Sequence, residues 1–238
     1  MTPRPEEMGA GVRTDDAADD RLRTAGGWAA AAALVLTVSI ALHPPPSPVL
    51  SEFMGIVADS GTTFVVAHWL AAIGLSFFVV ASLLVLTAGS RLTTSPWTLS
   101  AWALLPVGAM WVMTTAVAEA TVMVEAAKTG NVATFETWQL FAEGKSMGFL
   151  ALALSVAVIA GAEARAAAAT TPRWAAWLAS AAAAAAFAGW TLMMVADIMA
   201  GGPVWLVSSL LFGLWFVWFG IGLVRAGQTT RQKSAVHA

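Results

Sequence analysis

The chain has 238 residues, 58% of them hydrophobic and 11% charged, with 12 Trp, no Tyr, no Cys and a formal charge of -2. An ordinary soluble domain carries about 25% charged residues, so the composition places this chain in a lipid bilayer. The same figures exclude a collagen-like, disordered or disulfide-stapled chain, and without a basic block nucleic acid is excluded as a partner.

The first 24 residues, with six acids and four Arg among Pro and Gly, read as a disordered cytoplasmic tail, and residues 227–238 read the same way. Between them lies one domain, residues 25–226. About 20 apolar residues cross a bilayer core, and six such runs occur at 25–42, 63–88, 99–124, 138–162, 174–196 and 203–224. Backbone groups in lipid must be bonded within their own segment, so the runs are helices. The expected fold is all-α, a polytopic transmembrane bundle of six helices. A cleaved signal peptide is the rival reading of the first run, because Ser39-Ile40-Ala41 has the small-x-small form of a cleavage site. The long charged stretch ahead of it favours retention.

The connections are punctuated. His43-Pro44-Pro45-Pro46-Ser47-Pro48 is extended, since proline fixes φ and removes donors. Ser47 then caps a short helix with Pro48 at its first position, and Val49, Leu50, Phe53, Ile56 and Val57 share one face. That helix lies on the outer surface or folds back over the bundle; a packed loop is the alternative. Ser95-Pro96-Trp97 starts the third span, Thr170-Thr171-Pro172 opens the fifth, and Gly201-Gly202-Pro203 separates the fifth from the sixth.

Lys and Arg set the direction. Arg4, Arg13, Arg21, Arg23, Arg91, Arg165, Arg173, Arg225, Arg231 and Lys233, ten of the twelve basic residues, fall on one side. Both termini are therefore expected in the cytoplasm of a plasma-membrane protein, with Lys128 and Lys145 in the outer half. Trp28, Trp69, Trp97, Trp102, Trp138, Trp174, Trp177, Trp205, Trp215 and Trp218 lie near span ends, where an indole ring prefers the headgroup level. Trp111 and Trp190 sit deeper.

The second and third spans match the fourth and fifth loosely. Thr63-Phe64 pairs with Thr134-Phe135, Ser95-Pro96-Trp97 with Thr171-Pro172-Arg173-Trp174, Gly108 with Gly189, and Glu119 with Asp197. Two parallel hairpin repeats, helices 2-3 and 4-5, would be related by an axis along the membrane normal. The first and sixth helices are expected around this four-helix core, and Gly144 and Gly148 permit close helix contact.

A charge inside a span costs roughly 2.5–3.5 kcal/mol on insertion scales, so it needs a partner, water or a job. These residues gather in the outer half, with nothing comparable in the inner half. His43 ends the first span, His68 lies two turns into the second, Glu119 and Glu125 close the third, Glu143 and Lys145 start the fourth, and Asp197 closes the fifth. Glu136, Gln139, Glu143 and Ser146 form a polar stripe at helical spacing. A pocket is expected there, lined by Trp111, Trp190 and the methionines 110, 113, 193, 194 and 199. Glu125, Glu136, Asp197 and His43 also read as interfacial residues in water, and Lys145 as the structural partner of Glu119 or Asp197.

Ligand-binding candidates are thus His68, Glu119, Glu143, Lys145, Asp197, Trp111 and Trp190. His68, Glu119, Glu143 and Asp197 would supply ligands for a divalent metal, and a haem held by His43 and His68 is a further cofactor option. The functional expectation is a protein whose pocket binds or moves a small cation, a proton or an amphipathic molecule. A metal or haem redox protein is the second reading. An accessory subunit, serving a second copy or a membrane-protein partner, is the third. A phosphate-binding glycine loop and a nucleophile elbow are both missing from the sequence.

Overall fold

The computed structural model describes residues 5–236 apart from 45, 46, 48, 195 and 197; the side chains of residues 5–16, 143, 145, 146 and 227–236 also lie outside the description. The described residues are all-helical. Helix α1 covers Pro5–Leu42, α2 Leu50–Asp59, α3 Gly61–Thr87, α4 Pro96–Ala118, α5 Val124–Thr129, α6 Val132–Glu143, α7 Lys145–Arg165, α8 Arg173–Met194 and α9 Gly201–Val236. A 3₁₀ turn, Arg91–Thr93, precedes α4, and a π turn, Glu119–Met123, joins α4 to α5. Six segments are long and apolar enough to cross a bilayer: Ala17–Leu42, Gly61–Thr87, Pro96–Thr129, Val132–Arg165, Arg173–Met194 and Gly201–Ala226. The chain is a multi-pass integral membrane protein.

The six long segments form a closed ring. In ring order α1 packs on α3, α3 on α4, α4 on α7, α7 on α8, α8 on α9, and α9 back on α1. The expected four-helix core with two helices around it is therefore corrected, because all six contribute to one apolar centre. Ala29 and Ala33, Leu75 and Phe78, Trp102 and Leu105, Ile159, Ala179 and Phe216 and Phe219 belong to it. Small residues explain the ring. A Cβ on Gly26 would stand 2.5 Å from the Gly220 carbonyl oxygen, so α1 and α9 touch backbone to backbone. Gly108 and Gly148 do the same for α4 and α7, and Gly189 and Gly201 for α8 and α9. In lipid, where apolar burial gives little drive, such close approach is what holds helices together. Gly148 thus meets Gly108 across the interface, while Gly144 lies in the break between α6 and α7.

Buried hydroxyls mostly satisfy themselves by bonding a carbonyl one turn back, as Ser82 does with Phe78 and Ser155 with Ala151. Others reach across, as Ser39 does to the Ala67 carbonyl at 2.8 Å and Ser180 to Ala157 at 2.8 Å. Trp102 and Trp215 are corrected as well, since both are buried against Phe219 instead of standing in a headgroup belt.

One end of the ring carries a cap built from α2, α5 and α6. Helix α2 begins two residues later than the Ser47-Pro48 pattern suggests. Ser47 Oγ accepts from the Val49 amide at 3.1 Å and donates to Glu52 at 2.8 Å, which anchors the approach to the helix. Phe53 and Val57 are buried against Phe64, Met123, Val124 and Phe135, so α2 folds back over the bundle.

Candidate functional site

His68 stands two turns into α3 and is buried together with Glu119 on the π turn, at 5% and 4% exposure. His68 Nε2 lies 3.1 Å from Glu119 Oε2, and His68 Nδ1 lies 2.8 Å from the Phe64 carbonyl oxygen. The carbonyl can only accept, so Nδ1 carries its hydrogen. A neutral ring of that tautomer would present a bare Nε2 to a carboxylate, and two acceptors do not face each other at this distance in apolar surroundings. One proton therefore lies between them. It sits on Nε2, giving imidazolium against carboxylate, or on Glu119, giving a neutral pair.

The π turn begins at the acid itself. Such a turn holds one residue more than the α ladder accommodates and frequently marks a functional position. Here it turns Glu119 toward α3 while Met123 and Val124 pack into the cap. Phe64 lies tilted against the His68 ring with centroids 4.1 Å apart, and Phe53 continues the aromatic roof. The His43 ring meets His68 edge to face at 4.9 Å and bonds the Pro44 carbonyl oxygen through Nδ1 at 2.6 Å.

That contact decides the haem option. Edge-to-face rings leave no space for a porphyrin between them, and both His68 nitrogens are already engaged, so the pair does not fit axial ligation. Among the described residues no three His, Asp or Glu side chains converge as a metal site. Of the four residues expected to ligate a divalent metal, His68 and Glu119 meet. The Glu143 and Lys145 side chains and the whole of Asp197 lie outside the described residues. Of the stripe, α6 ends at Glu143 and α7 starts at Lys145, and the side chains of Glu143 and Ser146 lie outside the described residues.

Glu125 and Glu136 are exposed. Trp111 is half exposed beside Gly144 and Gly148. Trp190 is buried at 4% exposure in a separate aromatic cluster, 4.5 Å from Phe149 and 4.8 Å from Trp205, and its Nε1 has no hydrogen-bond partner. A shallow cleft of about 320 Å³ runs along the α3–α4 seam past Trp69, Ala72, Ser76, Met113 and Val117.

At the opposite end the expectation of an empty polar inventory is corrected by Glu163. Its carboxylate, 2% exposed, accepts from the Thr170 amide, the Thr170 hydroxyl at 2.6 Å, the Thr171 amide at 3.3 Å and Arg91 at 3.1 Å. Thr171 Oγ1 in turn accepts from Trp215 Nε1 at 3.1 Å. Glu163 ties the turn before α4 to the turn before α8. It falls one residue past the fourth apolar run, where the sequence does not single it out. The usable signal was the Thr-Thr pair seven residues on, which supplies amide donors.

No family model, curated protein or solved structure matches the chain. The fold and site define a six-helix integral membrane protein with a buried His–carboxylate dyad under a helical cap.

Proposed function

We propose that this is a plasma-membrane protein with both termini in the cytoplasm, whose outer-half dyad takes up and releases a proton, so that the protein binds or senses protons. The observation that carries this reading is the hydrogen-bond geometry of His68, which requires a proton shared with Glu119. The excess of Lys and Arg on the opposite side supports the orientation. Binding is favoured over conduction because Phe78, Trp102, Leu105, Phe216 and Phe219 fill the centre of the ring between the dyad and Glu163. The proton enters and leaves from the cap side, past His43.

Histidine is the side chain suited to a charge change between about pH 5 and pH 8. The chain has three histidines, so ¹⁵N-histidine NMR of the protein in nanodiscs resolves them. The His68 nitrogens are expected to report a proton shared with Glu119 in the native chain, and Glu119→Gln, whose amide donates to Nε2 without a shared proton, is expected to leave His68 as the neutral Nδ1–H tautomer. A His68 spectrum unaffected by Glu119→Gln reduces the dyad to a structural contact.

A further inference from the structure

Arg165 closes α7 at the end opposite the cap, where a long basic side chain ordinarily extends toward water. Here it folds the other way. Its Nη1 donates back along α7 to the Gly161 carbonyl at 3.0 Å, and its guanidinium carbon stands 4.6 Å from the centre of the Trp177 ring on α8. Gly161 makes the space, since a Cβ there would stand 3.4 Å from Nη1 and 3.2 Å from Ser180 Oγ across the seam. The charge is thus held one turn inside the helix end, on the outward side of the α7–α8 seam, level with an exposed indole.

A carbonyl and a ring face leave part of the rigid fork of N–H donors unused. Among the described residues, neither Arg165 nor Arg173 is paired with a carboxylate. Glu163, two residues before Arg165, is committed to Arg91 and to the Thr170 and Thr171 amides. Arg173 begins α8 in an exposed position four residues ahead of Trp177, hence one turn nearer the water on the same side of the helix. Two uncompensated positive charges beside an open fork call for an anion that accepts paired N–H bonds, which is the chemistry of a phosphodiester. Depth selects its source. Indoles gather at the level of lipid headgroups, so the anion that meets this guanidinium is one anchored in the bilayer. Further into the bilayer than Trp177, α8 turns Ala181, Ala184 and Ala188 outward, a low surface against which an acyl chain can lie.

We infer that Arg165, Arg173 and Trp177 form a seat for the headgroup of an anionic phospholipid. The Arg165 fork takes the phosphodiester, Trp177 fixes the fork from behind, and Arg173 meets the headgroup on its water side. This seat lies at the end of the bundle opposite the dyad and draws nothing from it.

The test is native mass spectrometry of the full chain released from mixed detergent micelles containing phosphatidylglycerol, phosphatidylcholine or diacylglycerol, with thermal unfolding in the same micelles. Phosphatidylglycerol is expected to stay bound and to raise the midpoint by several degrees. Phosphatidylcholine should do so more weakly, and diacylglycerol, which has no phosphate, not at all. Inorganic phosphate added to plain micelles should leave the midpoint where it was. Arg165→Met, which keeps the stem and removes the fork, should weaken phosphatidylglycerol retention about tenfold, the worth of one hydrogen bond to a charged group. Arg165→Lys, which keeps the charge without the fork, should fall between. Arg173→Gln, at an exposed position, should give a smaller loss and covers a chain that fails to fold without Arg165. Arg23→Gln removes a charge from the same end of the bundle and should change nothing. The inference is overturned if the three lipids are retained alike, if inorganic phosphate reproduces the shift, or if retention survives both Arg165→Met and Arg173→Gln. It is overturned equally if Arg23→Gln weakens retention as much as Arg165→Met, since diffuse positive charge would then account for the binding.

Discussion

Removing the Glu163 carboxylate should unfasten the end of the bundle opposite the cap. In Glu163→Ala the amides of Thr170 and Thr171 lose their acceptor in a site that is closed to water. Each stranded donor costs about 1–3 kcal/mol. Arg91 contributes much less, because its side chain is 38% exposed and reaches solvent when released, so its pairing is counted at about 0–1 kcal/mol. The total is about 2–7 kcal/mol. For a chain of this size about 2–4 °C of melting temperature goes with each kcal/mol, which gives a fall on the order of 10 °C. Glu163→Gln keeps one acceptor for Thr170 and loses the charge, so its fall should be less than half as large. Thermal unfolding in detergent, followed by helical circular dichroism, measures both. The reasoning is refuted if Glu163→Ala melts within about 2 °C of wild type, or if Gln is the worse substitution, because the carboxylate would then be a tolerated charge instead of an acceptor hub.

Closure of the ring depends on backbone contact between α1 and α9, so Gly220→Val, which drives side-chain atoms against Gly26 and Ala30, should cost about 3 kcal/mol, at the upper end of overpacking changes. Gly27→Val, where no atom lies within 4 Å of the added carbon, should be nearly silent in the same melting assay. Orientation is checked by single cysteines, since the native chain has none. A membrane-impermeant maleimide added to whole cells should label positions 51 and 128 and spare position 91; labelling at 91 inverts the topology.

The long apolar runs made the six spans legible, and their ends moved by only a few residues at most boundaries. Short elements between turns were harder to place. The π turn at Glu119 has no sequence signature, because an extra residue in a helix is chosen by packing on both sides, here Met123 and Val124 against Phe53 and Phe135. The break at Gly144 was hidden for a related reason: the spacing of Glu136, Gln139, Glu143 and Ser146 is helical whether or not the helix continues. Depth along the sequence singled out His68 and Glu119, and the structure brings them together. It could not distinguish Glu163, which lies just past the fourth apolar run and whose partners are backbone amides of the next turn. The arrangement in space was equally out of reach, since two weakly similar hairpins suit a four-helix core and a six-membered ring alike. The glycines at 26, 108, 148, 189, 201 and 220 decide for the ring, and each matters only with its partner across the interface.

The surplus residue in the π turn also gives the carboxylate a freedom that a regular α ladder lacks. A helix holding one residue too many can pass that surplus along its length, and each position it passes turns by about 100° while the segments on either side stay docked. Moved away from Glu119, the surplus would swing the acid off His68 and toward a different neighbour without lifting α5 from the cap or pulling α4 from the ring. The carboxylate can thus trade partners through a local change of winding, over a distance of about one helical rise, inside an otherwise stationary membrane protein.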